Sequence, residues 1–466
     1  MIDYDLFSVN QEIVQKLIDT ALSKGADYAD VYFEYATLHE FTMQDKAVNA
    51  AGIHTDYGVG IRAIKGDRTG YAYSESTDFT SMENAAKMAA SIADGTVCAK
   101  RPANISQVKG MSLYPTEDNF ASFPTEKAID YLRYMDNLLF DKDKRVEKVI
   151  GRISYSYAKT LFFNSLGQMS QDSGPLSSVS VSCILSDGTR TETASTSRSF
   201  RMGVEMFSNA LAEEIVEDIL KKASHQFKAE SINGGEMPVV MGAGGSGILL
   251  HEAIGHTFEA DFNRKGTSIF CDKLGKKICD SAINIVDDGT VPFNRGAISI
   301  DDEGVPGQKT YMVKDGVLNS YLHDRISAAH YGVPPTGNGR RESFRFYPLP
   351  RMRATYMENG NCTEEDLIRR VKKGVYVDTF SNGQVEIGAG DFTFFVQSGY
   401  LIENGKLTKP IKDINVIGNG PAALADIVAV ADNFKMDNST WTCGKEQFCC
   451  VSIGMPSVLV SKLVVG

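Results

Sequence analysis

A chain of 466 residues, 42% hydrophobic and 23% charged, is large and apolar enough for two or three folded cores, which excludes disorder as its main state. Its formal net charge of −11, from 48 Lys and Arg against 59 Asp and Glu, repels phosphate backbones and argues against direct nucleic-acid binding. No apolar run reaches the roughly 18 residues of a membrane span, and eight dispersed cysteines make no disulfide framework.

The acidic start Met1-Ile2-Asp3-Tyr4-Asp5 lacks the basic region of a signal peptide, so a reducing, cytoplasmic setting is expected. Residues 8–23 read as an amphipathic helix. Ile13, Val14, Leu17, Ile18, Ala21 and Leu22 recur at helical spacing, and Ser8 with Gln11 suits a capping box. Strands are expected at 29–36 and 57–64, then a hairpin loop at 66–70 and a returning strand at 71–73. Thr80 and Glu83 suit the same box at the start of a second helix. Residues 96–124 carry Pro102, Pro115 and Pro124 without periodicity and read as a boundary. A helix at 125–139, strands at 149–157, 161–170, 179–185 and 191–202, and a helix at 210–222 follow. From Ile232-Asn233-Gly234-Gly235 onward the chain is rich in glycine and strand signals, and it ends in a strand or hairpin. The expected class is α+β, with units at 1–110 and 111–232 and a larger β-rich unit at 233–466 that carries the metal-site helix.

The sharpest chemical signal is Leu249-Leu250-His251-Glu252-Ala253-Ile254-Gly255-His256. Imidazole is a good zinc ligand, and a carboxylate beside it can take a proton from an activated water. The spacing is unusual. Histidines at i and i+5 diverge by about 140° on a regular α-helix, so they cannot face one ion. A π-bulge, or an end to the helix at Gly255, restores the facing, and an irregular helix is therefore expected. A third ligand is needed. His39, His54, His225, His323 and His330 are open candidates, as are the thiols from Cys271 to Cys450. Cys443 stands out in Trp441-Thr442-Cys443-Gly444-Lys445, where Lys445 would favour the thiolate. A buried structural cysteine is the plain alternative.

Gly242-Ala243-Gly244-Gly245-Ser246-Gly247 follows a strand and precedes a helix, and Asp261 lies downstream, as in a dinucleotide-binding turn. The polar stretch after the helix lacks the second strand such a unit requires. The glycines are expected instead to let the helix pack closely on the strand before it. Arg340, Arg341, Arg345, Arg351 and Arg353 either clamp a peptide carboxylate or make structural ion pairs. His323 reads as part of a solvated turn, with an oxyanion donor as the alternative.

The metal motif, Gly337-Asn338-Gly339-Arg340-Arg341-Glu342-Ser343, Pro348-Leu349-Pro350-Arg351-Met352, Gly399-Tyr400-Leu401-Ile402-Glu403-Asn404-Gly405 and Cys443-Gly444-Lys445 occur in one order. Together they resemble the TldD branch of the TldD/PmbA family, also described as modulators of DNA gyrase, over essentially the whole chain. The resemblance implies a zinc metallopeptidase with His251, His256 and Cys443 as ligands and Glu252 as general base. It implies flexible or unfolded peptides as substrates. It also implies a homodimer, or a heterodimer with a PmbA/TldE-like paralogue that lacks the metal motif. A non-catalytic or regulatory subunit of such a complex is the alternative. Two departures stand out. The family tail reads Cys-Gly-Lys-x-Gly-Gln, whereas Glu446 is followed directly by Gln447, which makes Cys449 a second candidate ligand. Asn382 stands where the family often has glycine.

Overall fold

The structure is a computed structural model that describes residues 4–95, 102, 104–386 and 389–466, without the side chains of 381 and 382. The first three residues of the acidic start, and 96–101 and 103 of the expected boundary, lie outside the described residues, as does the Asn382 side chain.

The α+β expectation holds. Strands from both sides of residue 110 join one sheet. Its order is Arg68–Ser74, Ala47–Lys65, Tyr28–Gln44, Val146–Asn164, Gln168–Ser186 and Ser106–Gln107, with Thr191–Phe200 also paired to Gln168–Ser186. Period-two alternation sorts its faces. Odd-numbered Val31 and Phe33 pack under the helices Gln11–Leu22 and Phe79–Ala90. Odd-numbered Phe41, Val149, Ile153 and Val179 pack under Thr125–Lys142 and Asn209–Gln226. All four helices therefore cover one face, and the other is turned toward the C-terminal half.

Local chemistry explains the departures from expectation. Ser8 adopts φ 52° and does not cap; Asn10 does, accepting from the Ile13 N–H at 2.9 Å. Asp78 caps the second helix by accepting from the Ser81 N–H at 3.0 Å. The strand expected at 161–170 contains a reversal. Asn164 Oδ1 accepts from the N–H groups of Leu166 and Gln168 at 3.0 and 3.1 Å, an Asx turn completed by Gly167 at φ +73°. The chain ends in one strand, Val458–Val465.

The C-terminal half has two larger sheets. One runs Val317–Leu318, Lys309–Lys314, Ile285–Asp288, Ala354–Met357, Ser452–Met455 and Lys435–Asp437. The other runs Lys373–Glu386, Gly235–Met241, Val458–Val465, Ile414–Asn419, Asp391–Glu403 and Lys406–Ile411. Pairing of Lys373–Glu386 with Asp391–Glu403 closes this second sheet on itself. Ile248, Leu249, Leu250, Ala253, Ile254 and Phe258 of the motif segment belong to the same apolar core as both sheets. Burial on all sides fixes that segment's orientation. Among the described residues no helix is long and apolar enough to cross a membrane.

Candidate metal centre

The motif segment is irregular, as the spacing requires. After Met241 the chain turns at Gly244, φ +91°, and forms a short tight helix at Gly245–Gly247. A π-helical turn then spans Leu250–Gly255, followed by a tight turn at His256–Phe258. The extra residue in the π turn returns His251 and His256 to one face, with ring centroids 5.1 Å apart. Gly255 keeps ordinary helical angles, φ −59° and ψ −47°. What it supplies is space: a Cβ there would stand 2.1 Å from Sδ of Met352.

The glycine-rich turn is a packing device. A Cβ on Gly247 would stand 2.6 Å from the Gly454 nitrogen, so the close approach is to Ser452–Met455 rather than to the preceding strand. The short helix Ala260–Arg264 follows the motif where a dinucleotide fold needs a strand. Asp261 pairs with Lys445 at 2.8 Å.

Cys443 comes from the hairpin of Thr442–Lys445 and Gln447–Cys450. Glu446 at φ 56° makes the reversal alone, so the shortened loop still presents the thiol. Its Sγ lies 3.1 Å from Nε2 of His256. Ligand atoms of His251, His256 and Cys443 all fall within 4.8 Å of one another, and all three residues are buried. Cys449 is paired directly opposite Cys443 in the hairpin but is not in this cluster. Glu252 is partly exposed, with Oε2 4.0 Å from Nε2 of His256.

The donor set fits a zinc ion. Two imidazoles and a thiolate match its preference for nitrogen and sulfur, with room for a further ligand. Both ring nitrogens of His251 lack a hydrogen-bond partner although the residue is only 2% exposed, an arrangement a cation would satisfy.

A second layer of charge surrounds these three side chains. Nδ1 of His256 meets Oε2 of Glu259 at 2.9 Å, and that carboxylate meets Nζ of Lys445 at 3.1 Å. Burial alone would push the Glu259 carboxyl up; Lys445, then His256, hold it at about 2. Burial likewise opposes a charged His256, but Glu259 and then Cys443 raise it to about 10. Burial pushes the Cys443 thiol up, and the neighbouring imidazoles of His251 and His256 reverse this, to about 4. Lys445 is thus spent on Glu259 and Asp261 rather than on the thiol, contrary to expectation. Arg351, 1% exposed, donates to the carbonyls of Cys443 at 2.9 Å, Lys445 at 3.1 Å and Gln447 at 2.9 Å. One guanidinium therefore holds the hairpin that carries Cys443.

The other candidates lie elsewhere. His323 is buried, not solvated, and burial lowers it to about 4; its ring packs against Tyr321 and Tyr331. His39 stacks on Tyr155, His225 accepts from the Gly399 N–H at 3.3 Å, and His330 lies against Tyr331. The arginines make structural contacts. Arg345 pairs with Asp56 and Glu75, Arg341 donates to the Asp302 carbonyl, and Arg353 to that of Gly337. Glu259 and the anchoring role of Arg351 escaped the sequence reading. Glu259 stands three residues after His256, a spacing at which helix neighbours meet; nothing in sequence links Arg351 to the hairpin.

Three profiles of one family match the chain in order. The PmbA/TldA metallopeptidase domain 1 matches residues 29–93, the central domain 118–227 and the C-terminal domain 234–466. A Haemophilus influenzae protein named metalloprotease TldD homolog is 36% identical over 98% of this chain and 97% of its own. A Saccharolobus solfataricus protein named zinc metalloprotease TldD homolog is 34% identical over 63% of this chain and 65% of its own. The crystal structure of TldE from Thermococcus kodakarensis shares the fold, with a TM-score of 0.74 and 20% identity over 97% of this chain and 100% of that one. The full-length relationship and the three ordered domain matches establish that this chain belongs to the PmbA/TldD family of metallopeptidases.

Proposed function

We propose that the chain is a zinc-dependent peptidase acting on flexible or unfolded peptides. The convergence of His251, His256 and Cys443 within 4.8 Å, beside Glu252, carries this reading. Zinc held there would polarise a peptide carbonyl and acidify water. Glu252 takes the proton released on attack and returns it to the leaving amine, a role its position near the ligands and its contact with solvent allow. Glu259 fixes the tautomer and direction of His256, so that Nε2 faces the centre. Arg351 keeps Cys443 in place through the hairpin backbone.

The units at 1–110, 111–232 and 233–466 are part of the same proposal. A separate apolar cluster that includes Ile254 supports the third unit. The first two share one sheet, and Phe41 with Met43, and Leu161 with Phe163 and Met169, pack across their boundary. So are a cytoplasmic setting and a homodimer, or a heterodimer with a metal-free TldE-like paralogue; the fold shared with TldE supports the latter.

Digestion of casein as an unfolded substrate tests the reading. Zinc-loaded wild type should cleave it, and Glu252→Gln should lower kcat by at least about a hundredfold while keeping the metal. Equal cleavage by the variant removes Glu252 from the chemistry. No cleavage by the zinc-loaded wild type favours a non-catalytic subunit.

A further inference from the structure

The sheet face turned away from the four helices carries short polar side chains in register. Ser178, Ser180 and Ser182 stand opposite Ser199, Ser197 and Ser195. On the other side, Ser154 and Arg152 stand opposite Ser178 and Ser180. Glu40 and Thr42 continue these two rows, to Gly52 and Ala50. Each row thus crosses five neighbouring strands. Four gaps of about 4.8 Å make roughly 19 Å, the reach of about six extended residues.

The C-terminal half covers part of this face without filling it. Arg295 reaches Ser199 at 2.6 Å and Ser178 at 3.2 Å below, and the Trp441 carbonyl at 3.0 Å and Thr442 at 3.3 Å above. The Thr440 N–H donates to Ser197 at 3.1 Å. Between these pillars lie cavities of about 580, 700 and 280 Å³. The largest shares Arg152 and Ser180 with the first, and Ser178 and Arg295 with the third, so the three adjoin along this face as a trough interrupted by Arg295. One end passes Trp441 to Phe380 and Gly245, at the start of the segment that carries His251. The hairpin is the partition: Thr442 contacts Arg295 on the trough side, and Cys443 faces His256 on the other.

We propose that this trough holds an extended stretch of substrate polypeptide, about six residues long, as it approaches the metal centre. The proposal rests on the peptidase reading. Hydroxyl groups both donate and accept, so they suit the alternating N–H and C=O groups of any peptide backbone. Short side chains leave room for the peptide's own. Over the three cavities Glu40, Asp56 and Asp437 balance Arg152, Arg295 and Lys222, so the trough as a whole carries no net charge to select an anion.

The test measures binding of a fluorescein-labelled, unstructured casein peptide of about twelve residues, twice the trough's reach. The full-length, zinc-loaded Glu252→Gln chain is used, so the peptide is not consumed. Added Ser180→Trp or Ser154→Trp, on separate strands, should each raise Kd by about tenfold or more. Ser180→Ala should change it less than about twofold, and zinc content should hold in all. Unchanged Kd in both Trp variants overturns the trough. So does a change in oligomeric mass at unchanged Kd, which assigns the face to a second copy of the chain. Failure of the peptidase reading appears separately, as trough-dependent binding of a peptide that zinc-loaded wild type does not cut.

Discussion

Glu259 accepts a hydrogen bond from Nδ1 of His256 at 2.9 Å, and so points Nε2 at the thiol of Cys443. The relationship joins two consecutive elements, the end of the motif segment and the start of the helix Ala260–Arg264. It makes the orientation of His256 toward Cys443 a property of the fold.

Glu259→Gln keeps the shape but removes the charge. Partner groups of ligating histidines typically contribute 10–100-fold in metal affinity, so zinc binding should weaken by about that factor. Competition with a chromophoric chelator reads it. Affinity equal to wild type would show that His256 is oriented by its packing alone.

Lys445→Met has a different expected effect. It leaves the carboxylates of Glu259 and Asp261 buried without their shared cation. Removing one partner of such a group costs about 3–5 kcal/mol, so the midpoint of denaturant unfolding should fall sharply. A loss below about 1 kcal/mol would place the lysine in the range of an exposed pair.

Gly255→Ala inserts a methyl 2.1 Å from Met352 Sδ in a filled core. Overpacking of this kind costs about 1–3 kcal/mol. Thermal unfolding of Gly255→Ala, Met352→Ala and the double variant checks the contact. The second change should recover part of the loss caused by the first. Additive losses would mean that the two residues do not meet.

Glu34 provides a pH prediction away from the metal. Its carboxylate accepts from the Phe344 N–H at 2.7 Å where the first sheet meets the C-terminal half. Burial raises its pKa from the ordinary 4.5 to about 7. A raised carboxyl contributes stability that is fully present below the unfolded value and lost as pH rises through the folded one. Wild type should therefore lose stability relative to Glu34→Gln between about pH 4.5 and 7, by up to about 3 kcal/mol. A difference that does not vary across that window contradicts it.

Much of the site was legible because its chemistry is local. For His251 and His256 to face one ion, their i, i+5 spacing asks for either a bulge or an end to the helix at Gly255, and the π turn is there. Apolar periodicity located all four long helices, since each buries one stripe against the sheet. Strand ends were less legible. The long strands continue through polar residues such as Thr42 and Lys159, because one face meets water or the trough. Long-range partners were not legible. The pairing of Lys445 with Glu259, and the hold of Arg351 on the hairpin, join segments some ninety residues or more apart. Gly255 was singled out correctly, but its role is space beside Met352, not backbone freedom.

The most direct test is zinc content by elemental analysis of wild type, His251→Ala, Cys443→Ser and Cys449→Ser. The account predicts about one zinc per chain in wild type and Cys449→Ser, and none in the other two. Full zinc in Cys443→Ser, or its loss in Cys449→Ser alone, would contradict the assignment of Cys443 as the third ligand.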